Sequence, residues 1–166
     1  MKLTPFPLPF NIGTDIVHLP RILSLIHRPA TAGGTTTYLN RFIRRILCEQ
    51  ELKDFQTKFF PPHHSISKTL APVPGGAVGD GGSSTEMARW LAGRFAAKEA
   101  ARKAAPGGAS TISWKDVMVS IDRDGGSKKP EIVYLKDGGA CGELGKLSIS
   151  HDGDYVVATV LAVSDG

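Results

Sequence analysis

An α+β domain, with helices packed on an antiparallel sheet, is the fold class the sequence predicts, because its patterns run strand, helices, then four strands. Three stretches carry that expectation. Residues 10–17 alternate as a strand, with Ile12, Thr14 and Ile16 set against Gly13, Asp15 and Val17. Residues 90–104 are rich in alanine, hold no proline and have the strongest helix propensity in the chain. The last third contains two hairpin patterns. It closes on Val156-Val157-Ala158-Thr159-Val160-Leu161-Ala162-Val163, a nearly all-apolar run expected to be a central strand buried on both faces.

Taken in order, the first strand carries Asp15 among apolar neighbours. That position suits a turn cap, a partner for a basic side chain, or a ligand or catalytic group. Residues 19–26 read as a short helix opening at Pro20, a residue tolerated in a first turn, and carrying Arg21. Residues 28–37 lack periodicity and form a loop. Residues 38–60 return to helical spacing, with Leu39, Phe42, Ile46 and Leu47 on one side. Arg41, Arg44 and Arg45 stand exposed beside them, either as a solvated face or as a dock for an acidic partner. Residues 61–84, rich in Pro, Gly and Ser, form a loop insertion. His63-His64 inside it have no third ligand nearby and read as a solvent-exposed pair.

The long helix has a start signal in Ser83 and Glu86, which have capping-box spacing, and a stop in Pro106-Gly107-Gly108. Met87, Leu91 and Phe95 form an apolar stripe that Glu99 and Lys103 continue. On the residues alone, that last pair is an i,i+4 ion pair at the edge of a core face. Residues 114–122 alternate as a strand with Val117, Val119 and Ile121 on one face. Residues 123–127 are turn chemistry, and 131–135 return. Residues 138–145 read as a loop, and 146–150 with 155–163 as a hairpin around His151-Asp152-Gly153-Asp154.

At 166 residues the chain fits one domain able to bury a core. A formal charge of +4 favours an acidic partner or a phosphorylated ligand without implying nucleic acid. Cys48 and Cys141 have no Cys or His at metal-ligand spacing, so reduced, intracellular thiols are expected. No apolar run reaches the length of a membrane span, and no membrane partner is expected. The first ten residues, with three prolines and one lysine, resemble neither a secretory peptide nor an amphipathic mitochondrial presequence.

Three blocks, in this order and at compatible separations, resemble the holo-acyl-carrier-protein synthases, the small 4′-phosphopantetheinyl transferases. They are Ile12-Gly13-Thr14-Asp15-Ile16-Val17, Leu91-Ala92-Gly93-Arg94-Phe95-Ala96-Ala97-Lys98-Glu99-Ala100, and Leu147-Ser148-Ile149-Ser150-His151. The resemblance spans Ile12 to Val163 apart from 28–37 and 61–84, which look like insertions of the kind seen in fungal members. It implies one transferase domain over residues 1–166. The activity implied is Mg²⁺-dependent transfer of 4′-phosphopantetheine from coenzyme A to a serine of an apo-acyl carrier protein, releasing adenosine 3′,5′-bisphosphate.

Residue by residue, the resemblance implies Asp15 and Glu99 as the Mg²⁺ ligands, since one or two carboxylates with substrate phosphates and waters suit that ion. It implies Lys103 as the cation on the pyrophosphate or the departing bisphosphate. With Lys103, it gives Ser150, His151, Lys129, Pro130 and Arg94 as coenzyme A contacts, and Lys98 as added positive potential. Without it, His151 and Lys129 would be ordinary turn residues. Arg21, six residues after Asp15, matches the carrier-binding arginine and extends to a docking face with Arg41, Arg44 and Arg45. The general base stays open between Glu99, a metal-bound water and a neighbouring carboxylate.

The chain departs from the family pattern at three places. His18 replaces a glutamate common in bacterial members, Pro106-Gly107-Gly108-Ala109-Ser110 replaces the usual glycine-rich loop, and Val17 stands where larger monomeric transferases carry a third acidic ligand. The valine and the single-copy length favour the short type, which is usually trimeric with coenzyme A between subunits. Bacterial members are cytosolic, whereas fungal stand-alone members serve a mitochondrial carrier. Competing readings are a transferase-like domain of a fatty acid synthase, a non-catalytic basic module binding acidic partners, and an inactive homologue.

Overall fold

The computed structural model describes residues 1–4, 6–29, 37–61, 84–121 and 129–163. Strand β1 (Phe10–His18) runs directly into helix α1 (Leu19–His27), which has proline in its first turn. Helices α2 (Tyr38–Ile46), α3 (Glu49–Phe59) and α4 (Ser84–Ala104) follow, then a 3₁₀ turn at Trp114–Asp116. Strands β2 (Val117–Ile121), β3 (Pro130–Lys136), β4 (Cys141–Asp152) and β5 (Tyr155–Val163) complete the fold. All pairings are antiparallel, in the order β1-β5-β4-β3-β2, so the α+β expectation holds.

The sheet's inner face is covered by α4, whose buried side is made of Met87, Leu91 and a row of alanines. Small side chains let the helix approach the sheet closely, and the limit is reached at Gly13. A Cβ there would stand 2.0 Å from the carbonyl oxygen of Ala100 and 2.7 Å from the amide nitrogen of Ala104. That contact selects which face of β1 turns inward. Gly13, Asp15 and Val17 face α4, while Ile12 and Ile16 face outward, 69% and 61% exposed. Over the other side of α4, Phe55 and Phe59 of α3 pack on Trp90, at ring-centroid distances of 5.6 and 5.9 Å. From β3, the buried hydroxyl of Tyr134 donates to the Ala101 carbonyl at 2.9 Å, and burial pushes its pKa up to about 12.

Four expectations are corrected. Residues 38–60 are two helices, broken at Leu47 and Cys48, because Glu51 turns inward and accepts from the Cys48 backbone N–H at 3.1 Å. No Gly or Pro marks that break. Residues 114–116 form a turn ahead of the strand. The Ser113 hydroxyl accepts from the Lys115 N–H, and the Asp116 carboxylate accepts from the Ser113 N–H. Residues 141–145 belong to β4, their glycines sitting where larger side chains would meet Val133 and Tyr134. Finally, β5 is paired on both edges but buried on one face only. Val156, Ala158, Val160 and Ala162 face the helices, and Leu161 and Val163 face away.

The expected cap at Ser83, the His63-His64 pair, the 123–127 turn and most of 28–37 and 61–84 lie outside the described residues. Gly13→Ala should lower stability by at least the upper end of the roughly 1–3 kcal/mol typical of overpacking, because the clash is with backbone. Urea denaturation of the variant against the parent chain measures it.

Candidate active site

Because Asp15 faces α4, it meets the side chain that the helix presents one turn beyond Glu99. The Lys103 Nζ donates to Asp15 Oδ1 at 2.9 Å and to the Thr14 carbonyl at 2.8 Å. The Asp15 side chain is 17% exposed and that of Lys103 45%, so the pair sits at the rim of the core with the lysine side chain reachable from solvent. Glu99, also 17% exposed, does not pair with Lys103. Its Oε1 accepts from Arg102 Nη1 at 2.8 Å and, in a shorter contact, from Trp114 Nε1. The i,i+4 reading of Glu99 and Lys103 is therefore replaced by two separate attachments, one to β1 and one to the loop after α4.

Arg102 fixes that loop. Its Nε donates to the Ile112 carbonyl at 2.8 Å and its Nη2 to the Ala109 carbonyl at 2.6 Å. Nothing in the sequence pattern singled out Arg102 or Trp114. The indole lay inside an expected strand, and its role depends on the turn that replaces it.

Behind the site lies a second network that the sequence did not reveal. Glu51 and Lys98 are each fully buried and form an ion pair. The Lys98 ammonium also donates to the carbonyls of Ile46 and Trp114, at 2.6 and 2.9 Å, so all three of its donors are used. Glu51 accepts in addition from the Cys48 and Val119 N–H groups. Burial pulls the Lys98 pKa below the usual lysine value, opposed by the adjacent carboxylate. Removing one partner of such a pair typically costs about 3–5 kcal/mol, since the other charge stays buried. Lys98, expected to add positive potential to the site, instead ties α4 to the end of α2 and to the 3₁₀ turn.

Arg94 belongs to this inner network as well. Its guanidinium lies 3.4 Å from the Trp90 ring centroid, its Nε is 3.8 Å from Glu51 Oε1, and burial pulls its pKa down to about 10.

The other expected coenzyme A contacts are spread over the sheet. Pro130 opens β3 opposite Ile121, with exposed Lys129 just before it. Ser150 pairs with Val157 and points to the outward face, whereas His151 pairs with Val156 on the helix side. His151 lines a cavity of about 530 Å³ with Leu19, Lys58, Arg89 and Trp90. Asp15 is level with Ala158 and Ile149, so His151 stands two strands across from it, about 10 Å, and two residues further along, about 7 Å. One chain alone thus brings Asp15 and Lys103 together and leaves Lys129, Ser150 and His151 apart from them.

The arginines do form a surface. Arg21, Arg41, Arg44 and Arg45 are all exposed. The guanidinium carbons of Arg21, Arg41 and Arg45 lie 5.9, 4.3 and 4.4 Å from the ring centroids of Phe95, Tyr38 and Trp114. Phe95 and Trp114 are themselves 5.8 Å apart. An aromatic row therefore links the basic face to Glu99, the residue that Trp114 contacts.

Residues 11–160 match the model of the 4′-phosphopantetheinyl transferase superfamily. The chain is 59% identical to 4′-phosphopantetheinyl transferase B, mitochondrial, of Aspergillus fumigatus, over 98% of this chain and 99% of that one. It is 31% identical to the holo-[acyl-carrier-protein] synthase of Oceanobacillus iheyensis, covering 91% and 93% of the two chains. Among solved structures, an ACPS–CoA complex from Chronobacterium ammoniagenes superposes with a TM-score of 0.51 at 25% identity, covering 92% of this chain and 95% of that one.

Proposed function

The chain belongs to the 4′-phosphopantetheinyl transferase superfamily, and we propose that it transfers 4′-phosphopantetheine from coenzyme A to a serine of an apo-acyl carrier protein. The carrying observation is a cation held against Asp15 and the Thr14 carbonyl by the helix that also presents Glu99. In this reading the serine oxygen forms a bond to the β-phosphorus of coenzyme A, the P–O bond to the nucleotide breaks, and adenosine 3′,5′-bisphosphate leaves. Coenzyme A as the donor is supported by the bound complex of the related synthase.

The residues fit Mg²⁺. Asp15, Glu99 and the Thr14 carbonyl are hard oxygen donors, and the Lys103 ammonium already marks a cation position on Asp15. Among the described residues no three His, Cys, Asp or Glu converge, so phosphate oxygens and waters would complete the shell, as is usual for this ion. When bound, the metal would neutralise charge on the pyrophosphate. Lys103, on a flexible and solvent-reachable stem, would turn from Asp15 to the phosphate oxygens and stabilise the leaving bisphosphate. Arg94 would act through the packing of α4, given its place against Trp90.

The outward face of the sheet supports a trimer. Ile12, Ile16, Leu161 and Val163 lie on it exposed, and monomers rarely leave such a patch open. The arginine face, with its aromatic backing, suits an acidic carrier, and the mitochondrial name of the Aspergillus protein supports a mitochondrial carrier as substrate.

Incubated with coenzyme A, Mg²⁺ and apo-carrier, the protein should add one phosphopantetheine mass to the carrier, and EDTA should prevent it. Asp15→Ala and Glu99→Ala should each cut the rate by more than the roughly 100-fold seen for outer contacts of a metal site. Full activity in either folded variant would remove the metal assignment. Arg21→Ala should raise the carrier KM several-fold, an effect that fades with added salt, with the coenzyme A KM unchanged. A carrier KM insensitive to salt would argue against this docking face. Sedimentation should give three times the 17.7 kDa chain mass, and Leu161→Glu should shift it toward the monomer. A monomeric parent chain would end the trimer reading.

A further inference from the structure

We propose that Trp114 is a positioning residue for Glu99, an assignment that rests on the metal-dependent transfer proposed above. The indole has every feature of a preorganised donor. Its backbone is fixed on both sides, by the Ser113 and Asp116 box that folds the 3₁₀ turn and by the buried Lys98 ammonium, which holds the Trp114 carbonyl at 2.9 Å. Its ring is fixed by stacking, with the guanidinium of Arg45 4.4 Å and that of Arg102 4.9 Å from its centroid, and Phe95 at 5.8 Å. What this frame presents is one N–H, directed at Glu99 Oε1.

Arg102 donates to the same oxygen at 2.8 Å, so both contacts converge on one side of the carboxylate. Two donors on Oε1 set the rotation of the carboxyl group and leave Oε2, which takes neither of them, as the oxygen for a cation. Hydrogen bonds from outer groups commonly orient ligating carboxylates in this way. Because Lys98 is anchored by Glu51, the orientation of Glu99 is traced back to the buried ion pair through the Trp114 backbone. The arrangement also separates two duties within one aromatic side chain: the ring face supports Arg45 of the basic surface, and the ring edge holds Glu99.

Trp114→Phe keeps the stacking surface and deletes the donor. With coenzyme A present, binding of Mn²⁺ as a spectroscopic substitute for Mg²⁺, read by electron paramagnetic resonance, should weaken by about 10-fold or more. The kcat should fall with it, while the carrier KM and the thermal midpoint stay near those of the parent chain. A second reading needs no substitution at Trp114. In ¹⁵N-labelled Trp90→Phe protein the remaining indole N–H resonance should lie downfield, as for a donor to a carboxylate, and should move upfield when Glu99→Gln is added. A folded Trp114→Phe variant with parental Mn²⁺ affinity and kcat, or an indole resonance indifferent to Glu99→Gln, would overturn the assignment. Failure of the parent chain to modify any carrier would instead overturn the transfer reaction itself, so the two outcomes are distinguishable.

Discussion

The backbone contact between α4 and β1 at Gly13 is the constraint on which the rest of the structure depends. A helix and a strand this close leave no room for a side chain between them, and only glycine opposite alanine allows it. The contact fixes the face of β1, and that in turn turns Asp15 toward the helix and places it within reach of Lys103. A residue of any other kind at Gly13 would separate the two elements that share the site. The alanine row of α4 serves the same end, since larger residues would lift the helix off the sheet.

The Glu51 and Lys98 pair complements this contact from the opposite side of α4. It connects α4, the end of α2, the start of α3, the 3₁₀ turn and β2 through backbone groups that would otherwise be buried without partners. A buried ion pair is weak evidence for net stability, because desolvation offsets much of the attraction. Its value here is directional. All three donors of Lys98 and both oxygens of Glu51 are matched, so the turn bearing Trp114 has one place to sit, and the side of Glu99 that faces it is set accordingly. The helix therefore carries a partly exposed edge, with Glu99 and Lys103, and an inner edge, with Arg94 and Lys98, from a single stretch of sequence.

The sheet divides the molecule differently. Its inner face is filled by helices, while its outer face presents isoleucine, leucine and valine side chains together with Ser150. Apolar groups on an antiparallel sheet are normally matched by a covering layer, and this chain supplies none among its described residues. His151 and Ser150 stand apart from Asp15 across the strands, on opposite faces of β4.

The sequence by itself determined the fold class, the order of the elements and the family. Period-2 and period-3.6 patterns are local, and the three blocks containing Asp15, Glu99 and His151 are compact enough to read without coordinates. It missed the break at Leu47 and Cys48 and the turn at Trp114, which rest on the short-range contacts of Glu51 with Cys48 and of Asp116 with Ser113 and carry no Gly or Pro signal, and it missed the one-sided burial of β5, which depends on what covers each face of the sheet. Only the tertiary structure decided that Lys103 belongs to Asp15, that Glu99 belongs to Trp114 and Arg102, and that Lys98 is structural. On the sequence these cations are equivalent members of one helix. What separates them is the direction each leaves α4 and what lies there: β1 beside Lys103, a buried carboxylate beside Lys98, and a folded turn beside Arg102. Such choices are made by packing, which acts between elements, and so cannot be read within any one of them.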